Sequence, residues 1–160
     1  MAQQKLQLSA LTAAQLLTMT SWFKSEAELR QWAGPNFKFP YTDETFIKDL
    51  NLEKLPGFGL FDEDNNLVGF GQYYQRLDRC HLARLVINPD CRGLGYSQPL
   101  INQLIDIARK DLGFSDASLF VLAGNVPAIK CYQKLGFKFT EYPGINPLPN
   151  CLYMILESTR

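Results

Sequence analysis

Histidine is nearly missing from this chain: His81 is the single one in 160 residues. A zinc site, which draws on His and Cys at fixed spacings, has little to be built from. The four cysteines (Cys80, Cys91, Cys131 and Cys151) form no C-x-x-C pair, so the usual zinc and thiol-redox spacings are absent too. They read as free, reduced, mostly buried thiols, which implies a cytoplasmic setting. No charge predominates: 16 basic residues balance 16 acidic ones. That balance argues against nucleic acid or an anionic membrane surface as the main partner. Long apolar runs are also missing. Polar residues interrupt each one, including the stretch after Met1, so neither a signal peptide nor a membrane span is expected. Repeats, linkers and low-complexity tracts are equally absent.

Hydrophobic residues make up 46% of the chain, enough for one globular domain over residues 1–160 with a real core. A short strand is expected at 5–8, and a helix capped by Ser9 or Thr12 that runs to about Phe23. Ser25 opens a second helix, with Glu28 in the N3 place of a capping box, and Gly34-Pro35 ends it. A third helix starts at Thr42. Strands follow at 57–61, at 67–75 and in the stretch ending at Ile87, as an antiparallel meander. Strict alternation in 67–75 puts Leu67 and Tyr73 on one face, Val68 and Phe70 on the other. Beyond Ile87 the order is helix, strand, helix and two last strands, at 138–142 and 151–157, which makes an α/β domain.

The most informative stretch is the loop from Ile87 to Ser97. It follows the apolar run 82–87 and precedes a segment, 100–112, whose apolar residues recur at helical spacing. A strand, a glycine-containing loop and a helix leave several backbone N–H groups unpaired at one point, where the helix dipole favours an anion. Gly93 and Gly95 let that backbone approach a phosphate closely. The spacing fits neither G-x-x-x-x-G-K-[ST] nor G-x-G-x-x-G. A tight turn without a ligand fits the loop alone equally well.

The loop reads I-x-P-x-x-R-G-x-G, and Arg92-Gly93-Leu94-Gly95-Tyr96-Ser97 resembles the acetyl-CoA-binding motif of the GNAT N-acetyltransferases. Ser97 stands where that family has Gly or Ala. A second segment, Asn125 to Phe137, is similar to the family's N-x-x-A-x-x-x-Y-x-x-x-G-F pattern. The resemblance extends over roughly Val68 to Phe137. It implies the GNAT fold: a mixed central sheet of about six to seven strands, an antiparallel N-terminal meander and helices on both faces. It also implies acetyl-CoA as co-substrate, no metal, and direct transfer of the acetyl group to a primary amine of a small molecule or peptide. A homodimer is left open, and so is a non-catalytic acyl-CoA-binding module with the same fold.

Transfer from a thioester to an amine needs a held cofactor, a polarised carbonyl, a deprotonated amine and a protonated leaving thiolate. By the resemblance, the amides of Leu94, Gly95 and Ser97 with the Arg92 cation hold the pyrophosphate. The strand backbone at Leu85, Val86 and Ile87 meets the thioester. Asn125 and Ala128 serve the cofactor side, and Asn125 can equally be a helix cap. Tyr132 is the matched general acid. For the base, the strand carries His81 where many members have a Glu. Its place resembles that of a His of the arylalkylamine N-acetyltransferases, and alternation puts it on the face of Ile87. The competing expectations are an exposed His at a strand start and a water relay. Arg84 is expected to pair with an acid or with a carboxylate on the acceptor. Trp22, Phe23, Trp32, Phe37, Phe39 and Tyr41 are candidates for an aromatic acceptor wall. Covalent catalysis through Cys91 or Cys131 is disfavoured, because neither has a His or acid beside it in sequence.

Overall fold

The computed structural model describes residues 5–148 and 150–158. The readings made on Met1 to Gln4 and on Pro149 lie outside the described residues. Thr12 caps helix α1 (Ala13–Thr18) through a complete capping box with Gln15. The helix does not run on to Phe23. It tightens into a 3-10 turn over Met19–Trp22. Hydroxyls of Thr18, Thr20 and Ser21 donate back to the carbonyls of Gln15, Leu17 and Thr18, a competition that weakens regular α-helix. Ser25 caps α2 (Glu26–Ala33) by accepting from the Glu28 amide. The expected capping box is only half made, because the Glu28 carboxylate accepts from Lys24 N at 3.2 Å and not from Ser25. Thr42 caps α3 (Asp43–Leu50).

A seven-stranded mixed sheet forms the centre, in the order β1-β2-β3-β4-β5-β7-β6. Strand β1 (Gln7–Ser9), expected at 5–8, pairs antiparallel with β2 (Gly57–Phe61), which with β3 (Leu67–Arg76) and β4 (Arg79–Ile87) forms the expected antiparallel meander. Helix α4 (Ser97–Leu112) crosses over to β5 (Ala117–Leu122), which lies parallel to β4. Helix α5 (Val126–Lys134) leads to β6 (Lys138–Thr140). The last strand, β7 (Cys151–Leu156), inserts antiparallel between β5 and β6.

Two hydrophobic cores cover the two faces. One joins Leu82, Tyr73 and Val121 to Leu100, Ile101 and Leu104 of α4, with α5 residues packed against it. The other, on the N-terminal helices, joins Met19, Trp22, Leu29, Phe37 and Phe46 to Phe70 of the sheet. Two bulges break the alternation expected from sequence. In β3, Leu60 pairs with Gly69 while Phe61 pairs with Leu67, so Val68 is the extra residue. Val68 therefore joins the α4 core with Tyr73, and Leu67 turns to the N-terminal core with Phe70, the reverse of strict alternation. In β4, Gln72 pairs with Ala83 but Phe70 pairs with Val86, which inserts one residue at Arg84-Leu85. Leu82, Leu85 and Ile87 then share the α4 core while Val86 packs on the N-terminal core. The expected placement of His81 and Ile87 on one face is corrected by that insertion. A one-residue slip moves every later side chain to the other face.

Candidate active site

Strands β4 and β5 pair only over Cys80, His81 and Leu82 against Ala117, Ser118 and Leu119. Past that point the bulge at Arg84, whose φ is 51°, carries β4 away from its neighbour. A cleft of about 650 Å³ opens between the splayed ends, within the range of roughly 300–1,000 Å³ usual for small-molecule sites.

The glycine loop forms one wall. Gly93 and Gly95 take φ of 80° and 79°, a region where an L side chain is strained, and nothing lies within 4 Å of either missing Cβ. The loop delivers the chain to α4, whose N-terminus has no side-chain cap and no acid in its first turn. The amides of Ser97 and Gln98 have no carbonyl four residues back inside the helix, and Pro99 has no N–H to leave unpaired. The positive end of the helix dipole and the amides of the first turn thus face the cleft, and among the described residues that turn carries no acid. Arg92, Gly93, Gly95, Tyr96 and Ser97 all line the cleft, whereas Leu94 points outward and is 60% exposed.

Helix α5 forms the second wall with Asn125, Ala128 and Tyr132. The Asn125 side chain accepts from Ala128 N at 3.4 Å, so it caps the helix while also facing the cleft. Burial pushes the Tyr132 phenol well above the ordinary tyrosine range, so it stays protonated. The floor is β4 at Leu85, Val86 and Ile87 and β5 from Leu119 to Leu122. Apart from Leu94 and His81, every residue expected to serve the cofactor or the chemistry lines this one cleft, while Gly136 and Phe137 of the second motif lie outside the lining.

His81 stands apart. It is 2% exposed, which corrects the expectation of an exposed strand start. Its Nδ1 lies 2.8 Å from the Ser118 hydroxyl, and its ring packs against Tyr74, Phe120 and Tyr153. Burial, with the Arg76 cation nearby, holds its pKa down at about 3. Phe120, against which it packs, is itself part of the cleft lining.

The third wall comes from the N-terminal helices. Of the six aromatics proposed for it, Phe23 and Trp32 line the cleft, stacked with ring centroids 4.5 Å apart. Trp22 and Phe37 are buried in the core. Phe39 and Tyr41 lie outside the lining. Sequence reasoning missed Glu28 and Gln31, which extend this wall from α2. Glu28 lies one helical turn before Trp32, which was an available signal, whereas Gln31, next to Trp32 in sequence, gave none. Among the described residues Arg84 makes no ion pair with an acid. Its guanidinium donates to main-chain carbonyls and to Gln72 Oε1. Burial raises the pKa of both cleft thiols, Cys91 and Cys131, and keeps them protonated, which suits neither as a nucleophile.

The sequence profile of the acetyltransferase (GNAT) family matches residues 26–137, which hold the glycine loop, both cleft strands and Tyr132. The chain belongs to this family. Among sequence relatives, an N-acetyltransferase of Schizosaccharomyces pombe, itself uncharacterised, is 38% identical over 81 residues, 51% of this chain and 49% of that protein. The spermidine N(1)-acetyltransferase of Vibrio cholerae is 24% identical over 121 residues, 74% of this chain and 65% of that one. The chain spans about half the length of the curated relatives it matches. Solved GNAT structures share the fold nearly end to end. The Vibrio cholerae spermidine N-acetyltransferase in complex with CoA and spermine superposes with a TM-score of 0.72 at 21% identity, covering 96% of this chain and 95% of that one. The ribosomal-protein-S18-alanine N-acetyltransferase of Escherichia coli gives 0.64 at 23% identity, covering 98% and 96%. No described helix is long and apolar enough to cross a membrane, and among the described residues no cluster of His, Cys, Asp and Glu could hold a metal.

Proposed function

We propose that the protein is an acetyl-CoA-dependent N-acetyltransferase that acts on a cationic primary amine of a small molecule by direct transfer in a ternary complex. The observation that carries this reading is the single cleft in which an anion-receptive loop, a splayed strand and a protonated tyrosine converge. Acetyl-CoA supplies the activated acyl group. The loop amides and Arg92 bind its pyrophosphate. Backbone groups of β4 beside the bulge face the thioester and polarise its carbonyl as negative charge grows on the oxygen. Tyr132, held protonated, donates to the departing thiolate sulfur.

The base is assigned to water in the cleft. His81 is neutral at pH 7 but weakly basic, buried, and outside the cleft lining, so it orders Phe120 and Ser118 more readily than it accepts a proton. On the acceptor wall, Glu28 is the single carboxylate among the cleft residues, beside the Phe23–Trp32 stack. A carboxylate next to aromatic faces suits an ammonium group. The sequence likeness to the Vibrio cholerae spermidine N(1)-acetyltransferase is in keeping with a small cationic amine.

Calorimetric titration with acetyl-CoA, followed by an amine panel of polyamines, arylalkylamines and peptide N-termini, tests the proposal. Micromolar binding and transfer to a cationic small amine are expected. Binding without transfer to any amine would favour a non-catalytic acyl-CoA-binding module.

A further inference from the structure

Arg84 occupies the bulge of β4 with φ of 51°, a left-handed conformation that an L side chain other than Asn or Asp seldom adopts. The groups around it show what holds it there. Its Nε donates to Ala33 O at 3.2 Å, and one terminal nitrogen lies 3.1 Å from Asp49 O, Leu50 O and Gln72 Oε1. Ala33 is the last residue of α2, while Asp49 and Leu50 end α3. Carbonyls there lack partners inside the helix and carry the negative end of its dipole. A planar cation with several donors satisfies both helix ends together. The guanidinium also stacks over Phe37, 5.6 Å from the ring centre. The main chain of the same residue is held as well: the Trp32 indole N–H donates to Arg84 O at 2.8 Å. Trp32 belongs to the acceptor wall of the cleft. Side chain and backbone of the bulge residue are therefore both fastened to the helices that build that wall.

We infer that Arg84, with Trp32 as its partner, is a positioning residue for acetyl transfer: it ties the bulge to the ends of α2 and α3 and so sets the orientation of the backbone at Leu85 and Val86. The inference rests on the reading of the cleft as an acetyl-CoA site. Acceptor wall and thioester-facing strand behave as one rigid unit, although they come from separate parts of the chain. Lysine cannot replace Arg84, because a compact ammonium lacks the fork that spans two helix ends.

The test compares the parent with Trp32→Phe, which keeps a ring but loses the N–H, and with Arg84→Lys. Acetyl-CoA affinity by calorimetry should stay within about twofold, since the phosphate loop is untouched. The kcat per folded site should fall about tenfold in Trp32→Phe and about 100-fold in Arg84→Lys. Isotope-edited infrared spectra of bound carbonyl-labelled acetyl-CoA should show the carbonyl band moving back toward its position in free solution. A purely structural role would lower the unfolding temperature without moving that band. Folded variants with parental kcat and parental band would overturn the inference. Trp32→Phe decides alone if Arg84→Lys does not fold. A parent that binds no acetyl-CoA would instead bring down the cleft reading, and this inference with it.

Discussion

On the glycine-loop side of the cleft, the proposed phosphate side, the chain presents mainly backbone. On the α2 side, the proposed acceptor side, it presents side chains. The glycine loop and the start of α4 depend on φ values, unpaired amides and one proline that needs no N–H. Glycine spacing next to a helix signals these directly, because each requirement is met within about ten residues. The acceptor wall depends on which faces of α1 to α3 meet the sheet, and so on contacts such as Trp32 to Arg84, which lie 52 positions apart. In the proposed function the glycine-loop wall binds what is common to every reaction of the family. The wall from the N-terminal helices would see the variable substrate, and its residue types have equally good reasons to be core.

The sharpest way to separate the two sides is Tyr132→Phe, on the α5 wall between them. With the phenol proton removed, kcat should drop roughly 100- to 1,000-fold while acetyl-CoA affinity stays close to the parent's, in stopped-flow and calorimetric assays. An unchanged kcat would end the acid role of Tyr132.

A second large effect belongs to stability. The buried His81 has a pKa near 3 against an ordinary 6.5, so the folded chain takes up the proton less readily than the unfolded one. Its contribution is complete above about pH 6.5 and is lost as pH falls toward 3, at up to ~1.4 kcal/mol per pH unit. Urea unfolding should show about 3 kcal/mol lost between pH 7 and pH 4 from this group. His81→Gln should flatten that slope and leave the pH dependence of kcat near neutrality unchanged. A shifted kcat profile would return His81 to the mechanism.

On the phosphate wall, Gly95→Val places a β-branched residue at φ of 79° with no neighbour within 4 Å. The change strains the loop without a clash in the core. Acetyl-CoA should bind roughly 100-fold more weakly by calorimetry, with little change in the near-ultraviolet circular dichroism of the folded protein. The smallest effect is expected on the acceptor wall. Glu28→Gln should raise KM for a cationic amine about three- to tenfold, leave KM for acetyl-CoA unaltered and lose its effect in high salt. Equal changes for a neutral acceptor would show that Glu28 acts only through its bond to the Lys24 amide.

Much of the fold could be read in advance where a local rule applied. Thr12, Ser25 and Thr42 cap the helices they precede. The antiparallel meander and the strand-loop-helix order stand as the patterning implies. The misassigned strand faces have one shared cause. Alternation predicts faces only while a strand is regular, and the bulges at Val68 and at Arg84-Leu85 each add one residue. That is why Leu67 and Val68 exchange faces and why His81 and Ile87 part company. The Arg84 side chain was misjudged for a related reason. In sequence it is a charge in a strand needing an acid, whereas its partners are the carbonyl ends of two helices elsewhere in the chain.

Local signals were enough to point to the family, the glycine loop and the tyrosine at the cleft, because glycine, proline and helix-start preferences act over a few residues. The entry of β7 between β5 and β6, the burial of His81 and the facing of Glu28 and Trp32 into the cleft emerge only once the whole fold is assembled. Those outcomes depend on register, bulges and the docking of separate helices, which are set by the energy of the whole packed core rather than by any one segment.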